Sequence, residues 1–556
     1  FSAVARSADG PVEVLSLDAG SYRAFVGFQT PVLIDEAGKL KPLREPKGRT
    51  EKDEDRKPTP ITRTDPPPGN WASNDFDDSR WPRARGPVVV NLFLAGSVYQ
   101  PGNPGELRRA CVRGAFEVAD PAKVAALTLS VEYHGGAIVY VNGQELARGH
   151  LPPGEIKDDT LAEAYSPEAY LRPDGKRYSE GDDANKEFAG RLASRIRKLA
   201  GKDGGPVVIP AALLRKGVNV IAIQSLSAPI SEKGLEAPVA SKTWRGEPSP
   251  WPHAGLLAAT LTANTSAGLA SLAGPDNALR LTNSQPLETA QSWDIGQPQD
   301  KVKPVLMVGA RNGTFSGQVA LSSGQTIRNV KARATALSVA GGQGTIPADA
   351  VRVRWAEPGN EATSRNLPMN FERLLDELPA EVKPAKVNIR TRKVPPPPVA
   401  VVPLWITVRV PPDAAAGEYE GQVTIEAQAG DEPATKFVVP VRLKVHDWTV
   451  PSPADFTVRH NMFQSPETVA LWHKVPLWSD RHFELVGKSL KSLSEIGNGL
   501  CVLPLVVNGC NLGNRESMVR WVKQPDGSFK HDYTVLDRYL ETYQKNSPPP
   551  WIVGLY

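Results

Sequence analysis

The sequence predicts a mainly β protein with a C-terminal α/β part: two β sandwiches followed by an incomplete (β/α)8 barrel. Three observations carry this. Short apolar runs of strand length recur up to residue 445, separated by turn residues. Proline and glycine are abundant, at 52 and 47, which suits many short strands joined by turns. After Val450-Pro451-Ser452-Pro453 the pattern becomes strand, helix, strand, helix, strand, the grammar of a parallel α/β fold.

Residues 1–265 read as one β unit with insertions. Its apolar runs are 12–17, 88–94, 125–133, 137–141, 206–209, 219–226 and 256–263. Asn142-Gly143 after 137–141 is a hairpin signal, because a type I′ turn needs positive φ at both central residues. Residues 155–201 are mostly polar, and 184–199 within them carry the spacing of an amphipathic helix. The alternating charges of 44–57 suit a solvated loop.

Residues 266–295 form a linker, and 296–450 form a second sandwich. Its alternating runs are 317–322, 351–355, 403–410, 421–427 and 437–445, with a short helix expected over 371–378. The prolines at 395–398 cannot sit in a ladder and are read as a connector.

Residues 454–556 are read as the N-terminal part of a barrel: strand 456–462, helix 480–496 with Ser479 or Asp480 as N-cap and Gly497 as C-cap, strand 500–507, helix 535–545 and strand 551–556. These 103 residues fall short of the roughly 250 that a (β/α) barrel takes, so closure is expected from sequence beyond residue 556.

Net charge is +4, from 65 basic and 61 acidic residues, with no basic block that would mark a nucleic-acid surface. No apolar run of about 18 residues is present, which excludes a helical membrane span. Cys111, Cys501 and Cys510 make no disulfide framework or metal spacing and are read as buried thiols. Phe1-Ser2-Ala3 suits a chain freed from a signal peptide, although a trimmed chain would begin the same way, and the expected location is secreted, periplasmic or cell-surface. No phosphate loop, zinc motif or Ser/His/Asp order occurs.

Three stretches resemble known families. Gly69-Asn70-Trp71, Phe76-Asp77-Asp78-Ser79, Arg80-Trp81-Pro82, Val139-Tyr140-Val141-Asn142-Gly143 and Leu214-Arg215-Lys216-Gly217-Val218-Asn219-Val220-Ile221 resemble the galactose-binding-like jelly roll attached to many glycoside hydrolases. Pro403-Leu404-Trp405-Ile406-Thr407-Val408, Gly417-Glu418-Tyr419-Glu420-Gly421 and Asp447-Trp448 resemble the small sandwich of glycoside hydrolase family 123 and its bacterial relatives. The barrel start is similar to that family in Val475-Pro476-Leu477-Trp478-Ser479-Asp480, Ser517-Met518-Val519-Arg520-Trp521 and Asp526-Gly527-Ser528-Phe529.

The resemblance implies a carbohydrate-active protein, a glycoside hydrolase acting on N-acetylhexosamine-containing glycans. It also implies an adjacent Asp-Glu pair on a later barrel strand: the Asp orients the substrate acetamido group that attacks the anomeric carbon, and the Glu protonates the leaving oxygen. The Asp-Glu dipeptides here, 35–36, 53–54, 376–377 and 431–432, lie on no barrel strand, so no catalytic residue is assigned. The alternative is a noncatalytic surface or assembly protein built from the same sandwiches. Fold leaves these two open.

For binding, His460 and Asn461 are expected to close the first barrel strand and Asn508 the second, with Trp472 and Trp478 in the loop after the first. Strand C-termini face the mouth of a barrel. His460, Asn461, Trp472 and Asn508 are therefore the candidate glycan contacts. Arg481 and His482 are expected to anchor that loop, and Trp521 to be a core residue of a hairpin. The expected partner is a glycan or polysaccharide, with self-association left open. No cofactor is required; a structural calcium is compatible with such a jelly roll, but no Asp-rich loop demands one.

Overall fold

The computed structural model of the protein describes residues 12–17, 22–42, 63–84, 86–89, 106–178, 182, 185–201, 204–238, 251–270, 277–284, 290, 295–296, 300–339, 341–358, 371–385, 398–458, 460–508 and 514–556. The charged run 44–57, Cys510 and most of the proline connector lie outside these residues.

Two sheets form the first sandwich. One runs Val12–Ser16, Gly255–Ala263, Leu127–His134, Arg197–Lys198, with Val207–Ile209 also on Leu127–His134. The other runs Arg83–Ala84, Tyr22–Gln29, Glu106–Val118, Gly217–Leu226, Gly136–Val141, Gln144–Gly149. Their facing residues alternate inward, and Val112, Val131, Val139, Ile221 and Leu261 fill the space between them. Asn142 and Gly143 take φ of 52° and 88°, and the expected hairpin forms at that turn.

The tryptophan turn is fastened by one arginine. Trp71 and Trp81 stack at 5.9 Å, with the Tyr140 ring edge-on to Trp71 at 5.8 Å. Buried Arg113 pairs with Asp78 at 2.8 Å and donates to the carbonyls of Trp71 and Ser73. This buried guanidinium thereby has a counter-charge and carbonyl acceptors, which offset its desolvation.

The helix expected over 184–199 is reduced to Ala189–Ala193. Tertiary contacts override the local pattern. Arg197–Lys198 pairs as a strand with Leu127–His134, and the buried Arg195 guanidinium lies over the Trp251 and Tyr178 rings. This insertion covers an aromatic cluster in which Trp251 and His253 stand 4.3 Å apart.

His134 borders that cluster, with Nδ1 2.7 Å from the Pro252 carbonyl. Burial holds its pKa down to about 4. The folded state thus disfavours protonation relative to the unfolded chain. The stability from neutral His134 is complete above the ordinary histidine pKa near 6.5 and is lost as pH falls from there to about 4. We expect a loss of about 3 kcal/mol over that window, at roughly 1.4 kcal/mol per pKa unit. His150 and His482 are shifted the same way, so the test is a difference. Melting temperatures of wild type and His134→Gln, followed from pH 7 to 4, should show a shallower fall for the variant; parallel curves would refute this.

The second sandwich has one sheet in the order Arg280–Ser284, Thr314–Ser323, Ala400–Arg409, Val351–Pro358, Phe371–Leu375. The other runs Val305–Arg311, Thr435–Thr449, Gly417–Ala429, Ile327–Ala334, Glu381–Val382. Arg280–Ser284, from the stretch read as a linker, is the edge strand here. The short helix expected over 371–378 is instead strand Phe371–Leu375, because it pairs antiparallel with Val351–Pro358. The two sandwiches are joined by Lys303, which pairs with Asp77 and donates to Ser79. Around that contact lies a polar cleft of about 450 Å3, lined among others by Asn74, Phe76, Arg113 and Asn283. Two of its acids are already engaged, Asp77 with Lys303 and Asp78 with Arg113.

The C-terminal unit follows the expected α/β order. Leu500–Leu503 and Ile552–Leu555 pair parallel and in register. Helices Asp480–Ser494 and Thr534–Asn546 pack on them through Phe483, Val486, Leu490, Val535 and Tyr539, around Cys501 and Met518. Ser479 caps the first of these helices, and Gly497 follows it at φ 75°. The strand expected over 456–462 does not form a continuous ladder. A 3-10 turn occupies Pro453–Asp455, and among the described residues of this stretch only His460 bridges, parallel, to Asn498. The Met462 N–H goes to the Asn498 side-chain oxygen at 2.8 Å, so a side chain stands in for the ladder carbonyl. Cys111 and Cys501 are buried free thiols. No helix among the described residues is long and apolar enough to cross a membrane.

Candidate functional site at the ends of the parallel strands

The site is built where the parallel strands run out. Past Leu503, the N–H groups of Leu505 and Val506 both donate to the Tyr556 carbonyl, at 2.5 and 2.7 Å, and Tyr556 N–H returns to Leu503 O at 3.0 Å. These bonds continue the parallel ladder beyond the strands and fix the Tyr556 ring. It meets Phe463 at 5.6 Å with the planes 75° apart, and both rings are exposed.

Gln464 is the next residue. It is buried, and its Oε1 accepts from the Tyr539 hydroxyl at 3.2 Å. Burial pushes the Tyr539 pKa up, so the hydroxyl keeps its proton and remains the donor. Ser465 then caps helix Pro466–His473 by accepting from Thr468 N–H. Glu467 in the first turn of that helix is buried; its oxygens face Arg515, one accepting from the backbone N–H and one 3.4 Å from Nε. Buried Asn514 donates to Val506 O at 2.8 Å and accepts, through its carbonyl, from Asn508 N–H at 2.9 Å. Two buried polar atoms here have no partner among the described residues: Gln464 Nε2 and Asn514 Oδ1. They are one donor and one acceptor as assigned.

The residues expected from the sequence fall in three places. Asn508 lies just past the second strand, as expected, exposed and at φ 54°. Left-handed backbone is common for asparagine in turns. His460 and Asn461 are exposed, but His460 pairs with Asn498, ahead of the first residue of strand Leu500–Leu503. In a parallel pair that register sets His460 level with the N-terminal end of the second strand. Phe463, three residues on, is the one whose ring meets Tyr556, past the C-terminal end of the partner strand. Trp472 sits in the last turn of helix Pro466–His473, where a loop was expected; its ring lies under the Arg373 guanidinium of the second sandwich, 5.3 Å from the centroid. His482 is buried and ties the loop: Nδ1 accepts from Trp478 N–H at 3.0 Å, so Nε2 carries the proton toward Pro466 O at 2.7 Å.

Phe463, Gln464, Glu467 and Asn514 were missed. One signal in the sequence pointed at the first three. Ser465-Pro466-Glu467 is an N-cap, proline and acid start, which places a helix immediately after Gln464 and the strand end just before it.

Residues 298–427 match the model of the glycoside hydrolase 123 N-terminal domain, and residues 463–547 match that of the glycoside hydrolase 123 catalytic domain. Over these two segments the chain is similar to glycoside hydrolase family 123. The first match covers most of the second sandwich, and the second covers the helices and strand end just described. Among solved structures, a family 123 glycoside hydrolase from Clostridium perfringens, studied for glycolipid glycan hydrolysis, is 16% identical over 48% of this chain and 46% of its own, with a TM-score of 0.38. The chain thus spans about half the length of that protein. β-Glucuronidases from Lactobacillus rhamnosus (11% identity, 90% and 55% coverage, TM-score 0.20) and Bifidobacterium dentium (10%, 99% and 75%, 0.19) are also similar. None of these likenesses bears on activity. No curated protein matches the chain.

Proposed function

We propose that this glycoside hydrolase 123-like protein belongs to a bacterial enzyme that hydrolyses N-acetylhexosamine-containing glycans outside the cytoplasm. The observation that carries this reading is the catalytic-domain match over 463–547, the segment that forms the strand-end site. Ligands of open parallel α/β sheets bind at the carboxyl ends of the strands. There this chain offers exposed rings at Phe463 and Tyr556. Rings suit the C–H face of a sugar.

The described acidic pairs are committed elsewhere. Asp35 caps a turn at Ala37 and Lys39, Asp376 pairs with Arg352, and Asp431 pairs with Arg328. Glu467, the buried carboxylate at the strand ends, is engaged by Arg515. Asp53-Glu54 lies outside the described residues, and our reading places the acid pair implied by the family on further barrel strands.

The test is turnover of an aryl N-acetyl-β-galactosaminide. We expect the complete gene product to release the aryl group and the 556-residue chain alone to release none. Turnover by the chain alone, lost on mutating one of its own carboxylates, would overturn the assignment of the acid pair. A complete product that binds glycans but is inert on every N-acetylhexosaminide would be a noncatalytic surface protein.

A further inference from the structure

Between the second strand and helix Thr534–Asn546 the chain makes a hairpin, Arg520–Lys523 with Phe529–Asp532. Trp521, expected in a core, is 66% exposed on it. The correction has a geometric cause. Trp521 pairs with His531 and Lys523 with Phe529, so alternation puts these four side chains on one face, with Tyr533 two residues beyond His531. No layer of the described chain covers that face, and Phe529 and Tyr533 are also exposed.

The rings are held by one another. Trp521 stands perpendicular to His531 at 4.6 Å and meets Phe529 at 5.8 Å; His531 meets Tyr533 at 6.3 Å. The hairpin is also held at its base. Met518 is fully buried, and its N–H donates to Pro504 O at 3.1 Å, immediately past strand Leu500–Leu503. At the other end Asp532 accepts from Thr534 N–H and leads into the helix. The aromatic face therefore rises from the same strand ends as Phe463 and Tyr556, within the segment that matches the catalytic domain.

We propose that this face is a stacking platform for a pyranose ring of a glycan chain, a binding site additional to the strand-end site. The choice of a glycan rests on the glycan-handling reading above and on two features of the face. Each aromatic apart from Phe529 carries a polar edge, as an indole N–H, an imidazole or a phenol, and Lys523 adds an ammonium; a sugar presents an apolar C–H face rimmed by hydroxyls. The size also decides. Four residues of two strands give a patch about 13 Å long and about 10 Å wide. That is far below the roughly 800 Å2 each partner contributes to a stable protein interface, but suits one or two sugar rings. Because the rings brace one another, little side-chain freedom is lost on stacking.

The test uses the 556-residue chain, with methyl N-acetyl-β-galactosaminide, N,N′-diacetylchitobiose and lactose as probes. Binding is followed by saturation-transfer NMR and by the 15N-labelled indole resonance of Trp521. At least one probe should receive saturation on one ring face and move that resonance. Trp521→Ala should weaken its binding about tenfold, in line with loss of a stacked ring, while Trp521→Phe keeps most of it. Melting temperatures should change little, since exposed substitutions stay within about 0.5 kcal/mol. Unchanged binding by Trp521→Ala, or no response to any probe, would overturn the proposal. So would a concentration-dependent dimer that Trp521→Ala dissociates, because the face would then belong to a second copy. Trp521-dependent binding alongside an inert complete gene product would sink the hydrolase reading alone; turnover without such binding would sink the platform alone.

Discussion

Gly135→Ala is expected to destabilise the first sandwich by about 2–5 kcal/mol. Gly135 turns the chain between strands Leu127–His134 and Gly136–Val141 at φ 74°, a left-handed conformation that costs an L residue about 1–2 kcal/mol. Space adds to this. A Cβ there would lie 2.0 Å from Leu226 O and 2.5 Å from His253 O, both backbone atoms of neighbouring segments. Neither can withdraw without opening the sheet, and overpacking of this kind costs about 1–3 kcal/mol more. The backbone of Gly135 is also used: its N–H donates to Tyr165 Oη at 2.7 Å and its carbonyl accepts from Arg197 at 2.8 Å. Urea unfolding of the variant should show a much lower midpoint or no folded baseline. A midpoint near that of wild type would mean the turn tolerates a side chain.

Asn219→Ala should cost about 3 kcal/mol or more. Asn219 is fully buried and makes four hydrogen bonds. Its Oδ1 accepts from Arg215 N–H and Asn142 Nδ2, and its Nδ2 donates to the carbonyls of Arg215 and Gly217. Alanine leaves these groups unpaired in a buried site, at about 1–3 kcal/mol for each that water cannot reach. Asn142 extends the network by donating to Leu213 O and accepting from Val220 N–H. Because the two asparagines bond each other, the pair Asn142→Ala and Asn219→Ala should cost less than the sum of the single changes. Additive losses in chemical unfolding would mean the network acts as separate bonds.

Both positions show how far sequence reading reached. Asn142-Gly143 was legible because its residue types have few other uses between two apolar runs, and the turn formed there. Ser479 and Gly497 bounded their helix for the same reason: each satisfies a local need of a helix end. The second sandwich strands were legible from alternation, which is a property of the strand itself.

The losses were of another kind. Residues 371–378 and 184–199 carried helical spacing, yet Phe371–Leu375 and Arg197–Lys198 became strands because exposed edges of Val351–Pro358 and Leu127–His134 lay beside them. His460 falls level with the N-terminal end of the second strand because it bridges Asn498, which, from a different element, also takes the Met462 N–H with its side-chain oxygen. Trp521 was read as core because an aromatic in a strand usually is; its exposure follows from the absence of a layer over the hairpin among the described residues.

The sequence by itself determined the order of the parts and the turns and caps, because these depend on residue type and on neighbours within a few positions. Tertiary structure alone decided which edges paired, where the first parallel strand reached its end, and which aromatic rings faced solvent. Each of those depends on what another, distant segment brings to the same place, and hydrogen-bonding edges and apolar faces take whichever partner the packed chain presents.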